Sequence, residues 1–596
     1  AAAASGALLS VAERWQVMQN VVPDSADEDE NEDPNHANAR ARAASPFLYS
    51  DAEEGSGSFG TYDECFADFK DKVAKVKDVW ATLPAKAGDP VEITSCKKFA
   101  DMHSTLQYSE YGKKDDRVVN KQFIGRFMKD GRLNGDRVFR AFGMYSDPRA
   151  CPADELNLWT PFAVEEITTE GAFDERIDDL AFLLRHLFIL SGRSQVSTRT
   201  NPPRPIVCSV ARLASQVLYG HGLDWKAHLF QYPDVKSHML CYIGGQGCGK
   251  SIIYGDTEDT LGLLANMMGK CKFFTTAEPE KYVWGMFNSI MASAYYVNLN
   301  EVGNFFTHIG NINKGVGQLK TLIKQKEMTI NDKGVPHVKS QSLAKYAYTA
   351  NPRDGANIPT EDAERRYVVI RCSDELCSGT FEGAPVKEYF IKLGGLVVKL
   401  ALLRDFYDYL MARPVSKTFH KDDMPVSNLQ MQLNAANRDS IDQWLSSLKW
   451  DEGQTTKKLT NNAVWASFKD FCESESIPLR LREQQFKNQL GTRPFVTAYH
   501  EHNGRGKLID REGLERALPP APEEQGSHDP EPDFKAIATD FFNQRLATEI
   551  AADPGAWKAA RKAEARARKQ ERLAQERVRK LEREEAAYEA MAAADA

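Results

Sequence analysis

Five apolar or aromatic residues, Met239-Leu240-Cys241-Tyr242-Ile243, run directly into Gly244-Gly245-Gln246-Gly247-Cys248-Gly249-Lys250-Ser251, and Ile252, Ile253 and Tyr254 follow. The octet fits GxxxxGK[ST], and a buried strand before it with a helix after it is the context a phosphate-binding loop requires. Strand, short loop and helix in that order commit the segment to an α/β layer. The glycines let successive N–H groups point inward at β- and γ-phosphates, and a helix N-terminus adds partial positive charge. Lys250 is placed to neutralise those phosphates and the Ser251 hydroxyl to ligate Mg²⁺. The bland alternative is a glycine-rich turn that matches the pattern by chance.

At 596 residues the chain is too long for one hydrophobic core, and a division into about four units is expected. Its hydrophobic fraction of 42% and charged fraction of 27% suit a globular protein. No apolar run approaches the ~18–20 residues of a membrane span, since Leu180–Leu190 and Leu396–Leu403 are interrupted or too short. The start, AAAASGALLS, lacks a basic stretch before its apolar residues, so a signal peptide is not expected. Ten scattered cysteines without a CxxC pair point to free thiols in a reducing compartment rather than to zinc. A net charge of −8 means that nucleic-acid binding would need local basic patches.

Composition divides the chain further. Residues 1–60 join an acidic run, Asp24–Asp33, to a Gly/Ser stretch and read as a disordered acidic tail. Residues 61–172 form a mixed N-terminal domain, in which Phe66, Phe69, Val73 and Val76 follow helical spacing. Strands are expected near Asp136–Gly143 and Leu156–Phe162, with Trp159 and Phe162 as core anchors. Residues 173–237 carry two helical patterns, one ending near Gly192 and one at Gly220. Residues 238–420 alternate strands and helices, closed by a long helix over Leu396–Leu410. Residues 437–518 read as helices followed by a hairpin, Phe495–Tyr499 and Lys507–Ile509, which suggests a winged-helix domain. Residues 519–596 read as a linker and a basic charged helix.

Three further segments complete the chemistry that the loop begins. Tyr295–Leu299 is an apolar strand ending in Asn300-Glu301, where Glu301 can orient a water and Asn300 can support Mg²⁺ through one, unless the strand merely ends in a glutamate. Lys345–Ala350 ends in Asn351, either a contact to the γ-phosphate or its water, or a turn opener before Pro352. Arg365 and Arg366 precede the strand Tyr367–Ile370, and either is a candidate arginine finger or a surface partner of Glu361 or Asp362. Between Glu301 and Asn351, Met328–Lys339 reads as a hairpin turning at Asp332-Lys333-Gly334. Its Lys333, His337 and Lys339 are candidates to grip a nucleic-acid backbone, or simply to solvate the tip.

These motifs, with Trp284-Gly285-Met286-Phe287-Asn288 and Asp224–Pro233 leading into the loop, resemble the superfamily 3 helicases, in particular the helicase part of primase–helicases of large DNA viruses. The resemblance covers about residues 150–518. It implies an α/β, P-loop AAA+-like ATPase core between a helical N-terminal region and a C-terminal winged-helix domain. It also implies ATP and Mg²⁺ as cofactors, a homo-oligomeric ring, usually a hexamer, around single-stranded or forked DNA, and an arginine acting in trans. An intracellular site of viral DNA replication, and a primase or polymerase as partner, go with it. Two departures stand out: Asn300 replaces a frequent acidic residue, and no carboxylate pair of a primase site precedes the core. A non-catalytic nucleotide- and DNA-binding replication scaffold and a P-loop DNA-packaging motor are the alternatives.

Overall fold

The computed structural model describes residues 60–83, 91–111, 118–134, 137–169, 173–191, 214–256, 261–285, 287–302, 320–332, 335–352, 366–377, 379–419, 424–501, 504–519 and 531–552. The acidic tail and the basic C-terminal helix of the sequence reading lie outside them. The chain is mixed α/β, built around a five-stranded parallel sheet.

Thr61 opens the first helix, Tyr62–Lys70, through a capping box with Glu64. The expected helical run does not continue. Val73 and Val76 sit in a strand, Val73–Val76, paired antiparallel with Val79–Thr82. Phe66 and Phe69 face the core from the helix, whereas the β-branched valines are buried within a four-stranded sheet. Trp80 stacks on Phe99 with ring centroids 4.6 Å apart. Phe162 is buried and Trp159 half-buried, and both meet Tyr295 edge-on or tilted, which ties this region to the central sheet.

The central strands are β1 (Met239–Ile243), β2 (Phe273–Thr276), β3 (Tyr296–Asn300), the hairpin pair β4 (Glu327–Asp332) and β5 (Val335–Gln341), β6 (Lys345–Ala350) and β7 (Tyr367–Arg371). The parallel sheet has the order β2-β3-β6-β1-β7. β1 and β6 are buried along their whole length, as expected of strands covered on both faces. The N-terminal rim is fastened by buried ammonium groups. Lys345 donates to the carbonyls of Tyr232 (3.0 Å) and Pro233 (3.3 Å), Lys272 to that of Pro161 (2.9 Å), and Lys236 to that of Ala344 (2.8 Å). Burial pushes Lys236 down to about 7.

Two helices differ from the periodicity. The helix Ala214–Gln231 runs straight through Gly220. A side chain at Gly222 would stand 3.2 Å from the Tyr242 hydroxyl, so a glycine here is what lets the helix approach β1. The long helix expected over Leu396–Leu410 starts later, as Leu400–Met411, and a separate helix, Val386–Leu396, ends just before it. The Asn266 amide donates to the Val397 carbonyl at 3.0 Å, satisfying an acceptor at the break.

Farther along, helices Ser440–Ser447, Asn461–Ser474 and Glu483–Leu490 enclose Trp444, Phe468 and Phe486. The hairpin strands Val496–Glu501 and Gly504–Asp510 gain a third partner, Thr456–Thr460, which pairs with Gly504–Asp510. That segment reads TKKLT and is half-exposed, so its polarity hid a strand.

Contact density divides the chain into two units. Among the described residues, the smaller contains 173–185 and 531–552. In it, Phe542 of the helix Phe534–Ala552 meets Phe173 edge-on at 5.1 Å, and Lys535 pairs with Asp178 at 2.8 Å.

Candidate nucleotide-binding site

Parallel pairing brings the C-terminal ends of β3, β6, β1 and β7 to one rim, the rim at which open α/β sheets take ligands. The glycine loop leaves from β1 there. Gly244 N–H donates to the Ala350 carbonyl (3.1 Å) and Cys372 N–H to the Ile243 carbonyl (2.7 Å), which holds the loop mouth between β6 and β7. Gly247 and Gly249 take φ of +86° and +95°, a left-handed backbone open to glycine. A side chain at Gly249 would also stand 2.6 Å from His186 Cε1. The helix that follows, Lys250–Tyr254, is only five residues long, so the electrostatics of the loop rest on its own N–H groups and on Lys250 rather than on a macrodipole. Tyr254 stacks on Tyr242 of β1 at 4.1 Å and seats the turn.

Lys250 is buried and folded back. Its Nζ donates to the carbonyls of Gly244 (2.7 Å) and Gly245 (2.9 Å) and lies 3.5 Å from Cys248 Sγ. Gln246 and Ser251 are exposed, and the Ser251 hydroxyl stands at the loop exit. The Gly245 N–H is taken by the Asp374 carboxylate at 3.1 Å.

One strand away, the residues after β3 and β6 meet. Asn351 Nδ2 donates to Glu301 Oε1 at 2.7 Å. Glu301 has φ of +52°, uncommon for a residue with a side chain, and its N–H donates to the Thr349 carbonyl at 2.9 Å. Asn300 is drawn inward, its side-chain carbonyl accepting from Thr349 Oγ1 at 3.0 Å.

β4 and β5 form an antiparallel hairpin with a bulge near its tip. Lys333 lies outside the described residues. The backbone of His337 is in β5, and Lys339 is exposed opposite Thr329. Met328, Ile330, Val338 and Ser340 form the buried face. Asn288 clamps the hairpin: its amide donates to the Thr329 carbonyl (2.9 Å) and accepts from Asn331 N–H (2.6 Å).

Arg365 lies outside the described residues. Arg366 precedes β7, and its carbonyl accepts from Met239 N–H at 2.8 Å. It therefore sits at the opposite rim from the loop of its own chain, about 16 Å away for five residues at ~3.3 Å each.

Asp374, His186 and Asn288 were not singled out as site residues from the sequence. Asp374 follows an apolar strand as Glu301 does, a signal that could have found it. His186 reads as one more position of a buried helical stripe. It is fully buried, lies 3.1 Å from the Tyr389 hydroxyl through Nδ1, and burial pushes it down to about 4, so it stays neutral behind Gly249.

A family described as "Family of unknown function (DUF5906)" matches residues 242–366, which contain the loop, Glu301 and Asn351. The structure is similar to two apo structures of the NrS-1 C-terminal region, with TM-scores of 0.45 and 0.46 at 15% identity, covering 74% of this chain and 95% of those chains. Over 156 residues the chain is 25% identical to the DNA primase-polymerase of Nitratiruptor phage NrS-1, a match that spans 20% of that relative's length. Over about a quarter of its own length, the chain is thus similar to a phage DNA primase-polymerase.

Proposed function

We propose that this chain is an ATP-driven DNA helicase of the superfamily 3 type, with an AAA+-like core and a winged-helix unit over residues 437–518, acting as a homo-oligomeric, hexameric ring in viral DNA replication inside the infected cell. The observation that carries the reading is the Asn351–Glu301 hydrogen bond of 2.7 Å at the same sheet rim as the Lys250 loop. A polar pair one strand from a phosphate loop is where a water attacking a γ-phosphate must be held. Glu301 accepts from Asn351, which fixes its carboxylate, and its other oxygen serves to orient that water. Lys250 exchanges the Gly244 and Gly245 carbonyls for phosphate oxygens. Ser251 and Glu301 are hard oxygen donors of the kind Mg²⁺ prefers, and Asn300, held by Thr349, supports the ion only through water. When bound, Mg²⁺ neutralises charge on the phosphate oxygens.

The place of Arg366 at the opposite rim fits a finger, Arg365 or Arg366, offered to the neighbouring protomer. Lys333, His337 and Lys339 on the hairpin grip the DNA backbone. Separating duplex DNA requires ~1.4 kcal/mol per base-pair step on average, which calls for a hydrolysis-driven motor. The name of the phage relative places it in DNA synthesis, and a primase or polymerase partner for this chain follows from that likeness.

The test is phosphate release by the full chain with and without single-stranded DNA. Stimulation by DNA is expected, and Lys333→Ala with Lys339→Ala should abolish it and lower the salt slope of DNA binding by about one per lysine. Undiminished stimulation in that double variant would remove the hairpin from the reading. Asp374→Asn should tighten nucleotide binding about 3–10-fold, roughly 1 kcal/mol, because the carboxylate competes with phosphate for the Gly245 N–H. Titration with a fluorescent ATP analogue reads this, and weaker binding would assign Asp374 a supporting role.

A second reading, a replication scaffold that binds nucleotide and DNA without hydrolysis, is favoured by the Lys250 ammonium and the Gly245 N–H both being engaged within the protein. DNA-stimulated turnover separates the two.

A further inference from the structure

We propose that Cys248 and Cys372 are an oxidant-responsive dithiol that closes to a disulfide and locks the Gly244–Ser251 loop. Cys248 lies inside the loop and Cys372 just past β7, on the neighbouring strand end. Both are buried free thiols. They converge on the space that Gly244 leaves by having no side chain: the position of a Cβ there is 3.2 Å from Cys248 Sγ, 3.3 Å from Cys372 Sγ and 2.5 Å from Cys372 Cβ. The backbone already joins the two segments, through Cys372 N–H on the Ile243 carbonyl at 2.7 Å, so bridging needs little chain movement.

The pair is also electronically unequal. The hydrogen bond from Cys372 and the Lys250 ammonium 3.5 Å away draw the Cys248 thiol well below its usual range, whereas burial and the Cys248 charge push Cys372 up. Cys248 is thus the attacking sulfur and Cys372 the resolving one. Cys377, half-buried, has its Sγ 3.7 Å from Asp374 Oδ1, and burial and the carboxylate hold its thiol up at about 11, a poorer nucleophile.

With a peroxide as oxidant the step balances. The Cys248 thiolate attacks one peroxide oxygen, the O–O bond breaks, and hydroxide leaves to become water, giving a sulfenic acid. Cys372 sulfur then attacks the sulfenic sulfur; the S–O bond breaks, the hydroxyl departs with the Cys372 proton as a second water, and the S–S bond forms. Two thiols lose two electrons and the peroxide gains them. With the loop tied to the end of β7, its N–H groups and Lys250 no longer open toward phosphate; this consequence rests on the nucleotide reading above, while the cross-link itself does not.

The full-length reduced chain is treated with hydrogen peroxide, alkylated after denaturation and mapped by mass spectrometry without reduction. A linked peptide pair containing Cys248 and Cys372, undone by dithiothreitol, is expected. In Cys372→Ser, and in Cys372→Ala as a second variant, Cys248 should instead be labelled by dimedone as a sulfenic acid. Cys248 that remains alkylatable after oxidation, or that links to Cys377, would overturn the pairing. In parallel, affinity for a fluorescent ATP analogue should fall more than 10-fold on oxidation of the native chain and hold in Cys372→Ser. Unchanged affinity in a fully cross-linked sample would overturn the lock, whereas a reduced native chain that binds no nucleotide would refute the proposed function and leave the mapping result standing.

Discussion

Replacing Lys250 with alanine is expected to lower DNA-stimulated phosphate release by at least ~100-fold, the scale on which removal of one electrostatic stabiliser acts in a water-excluded site. Lys250 is buried and reaches two loop carbonyls, so its ammonium is held at the loop instead of ranging through solvent. The alanine variant removes the one positive charge that the loop itself carries and leaves Gly247 and Gly249 in their left-handed geometry. Malachite-green phosphate release by the purified variant, with circular dichroism matching the native chain, is the check. Turnover within threefold of native would exclude the loop from catalysis.

Glu301→Gln is expected to reduce turnover by ~10²–10⁴, the usual contribution of a positioned base, while a nucleotide analogue still binds. Glutamine keeps the size and an oxygen to accept from Asn351, and it tolerates the backbone about as glutamate does, so the fold at the end of β3 should persist. What it removes is the negative charge that orients water. Equal loss of binding and turnover would mark Glu301 as a structural residue of the strand end. A large fall in turnover with intact binding would place it at the reacting atoms.

Much of the rim was legible because a parallel sheet aligns strand ends. Apolar runs ending at Gly244, Asn300-Glu301 and Asn351 had to bring those residues side by side once β6 lay between β1 and β3. The inserted hairpin was legible for a similar reason, since alternation at Met328, Ile330 and Val338 has one meaning in a short segment. What stayed hidden depended on packing at a distance. Gly220 read as a helix end, but the helix runs on to Gln231, and Gly222 two residues later packs close to the Tyr242 hydroxyl. Val73 and Val76 kept helical spacing by coincidence, and sheet burial decided their conformation. Asp374 stands just past an apolar strand, which marks it for the rim, but its bond to Gly245, 129 positions away, depends on β7 lying beside β1.

The buried ammonium–carbonyl bonds beneath the sheet have a mechanical consequence. Lys345, Lys236 and Lys272 rivet one edge of the structure, whereas the opposite edge is all loop ends. A plate clamped along one side bends at the other. The hairpin is rooted at that riveted edge, since β5 runs through 342–344 into the start of β6 and Asn288 clasps β4 just ahead of β3, so a displacement born among the loop ends reaches the hairpin only through the length of the strands.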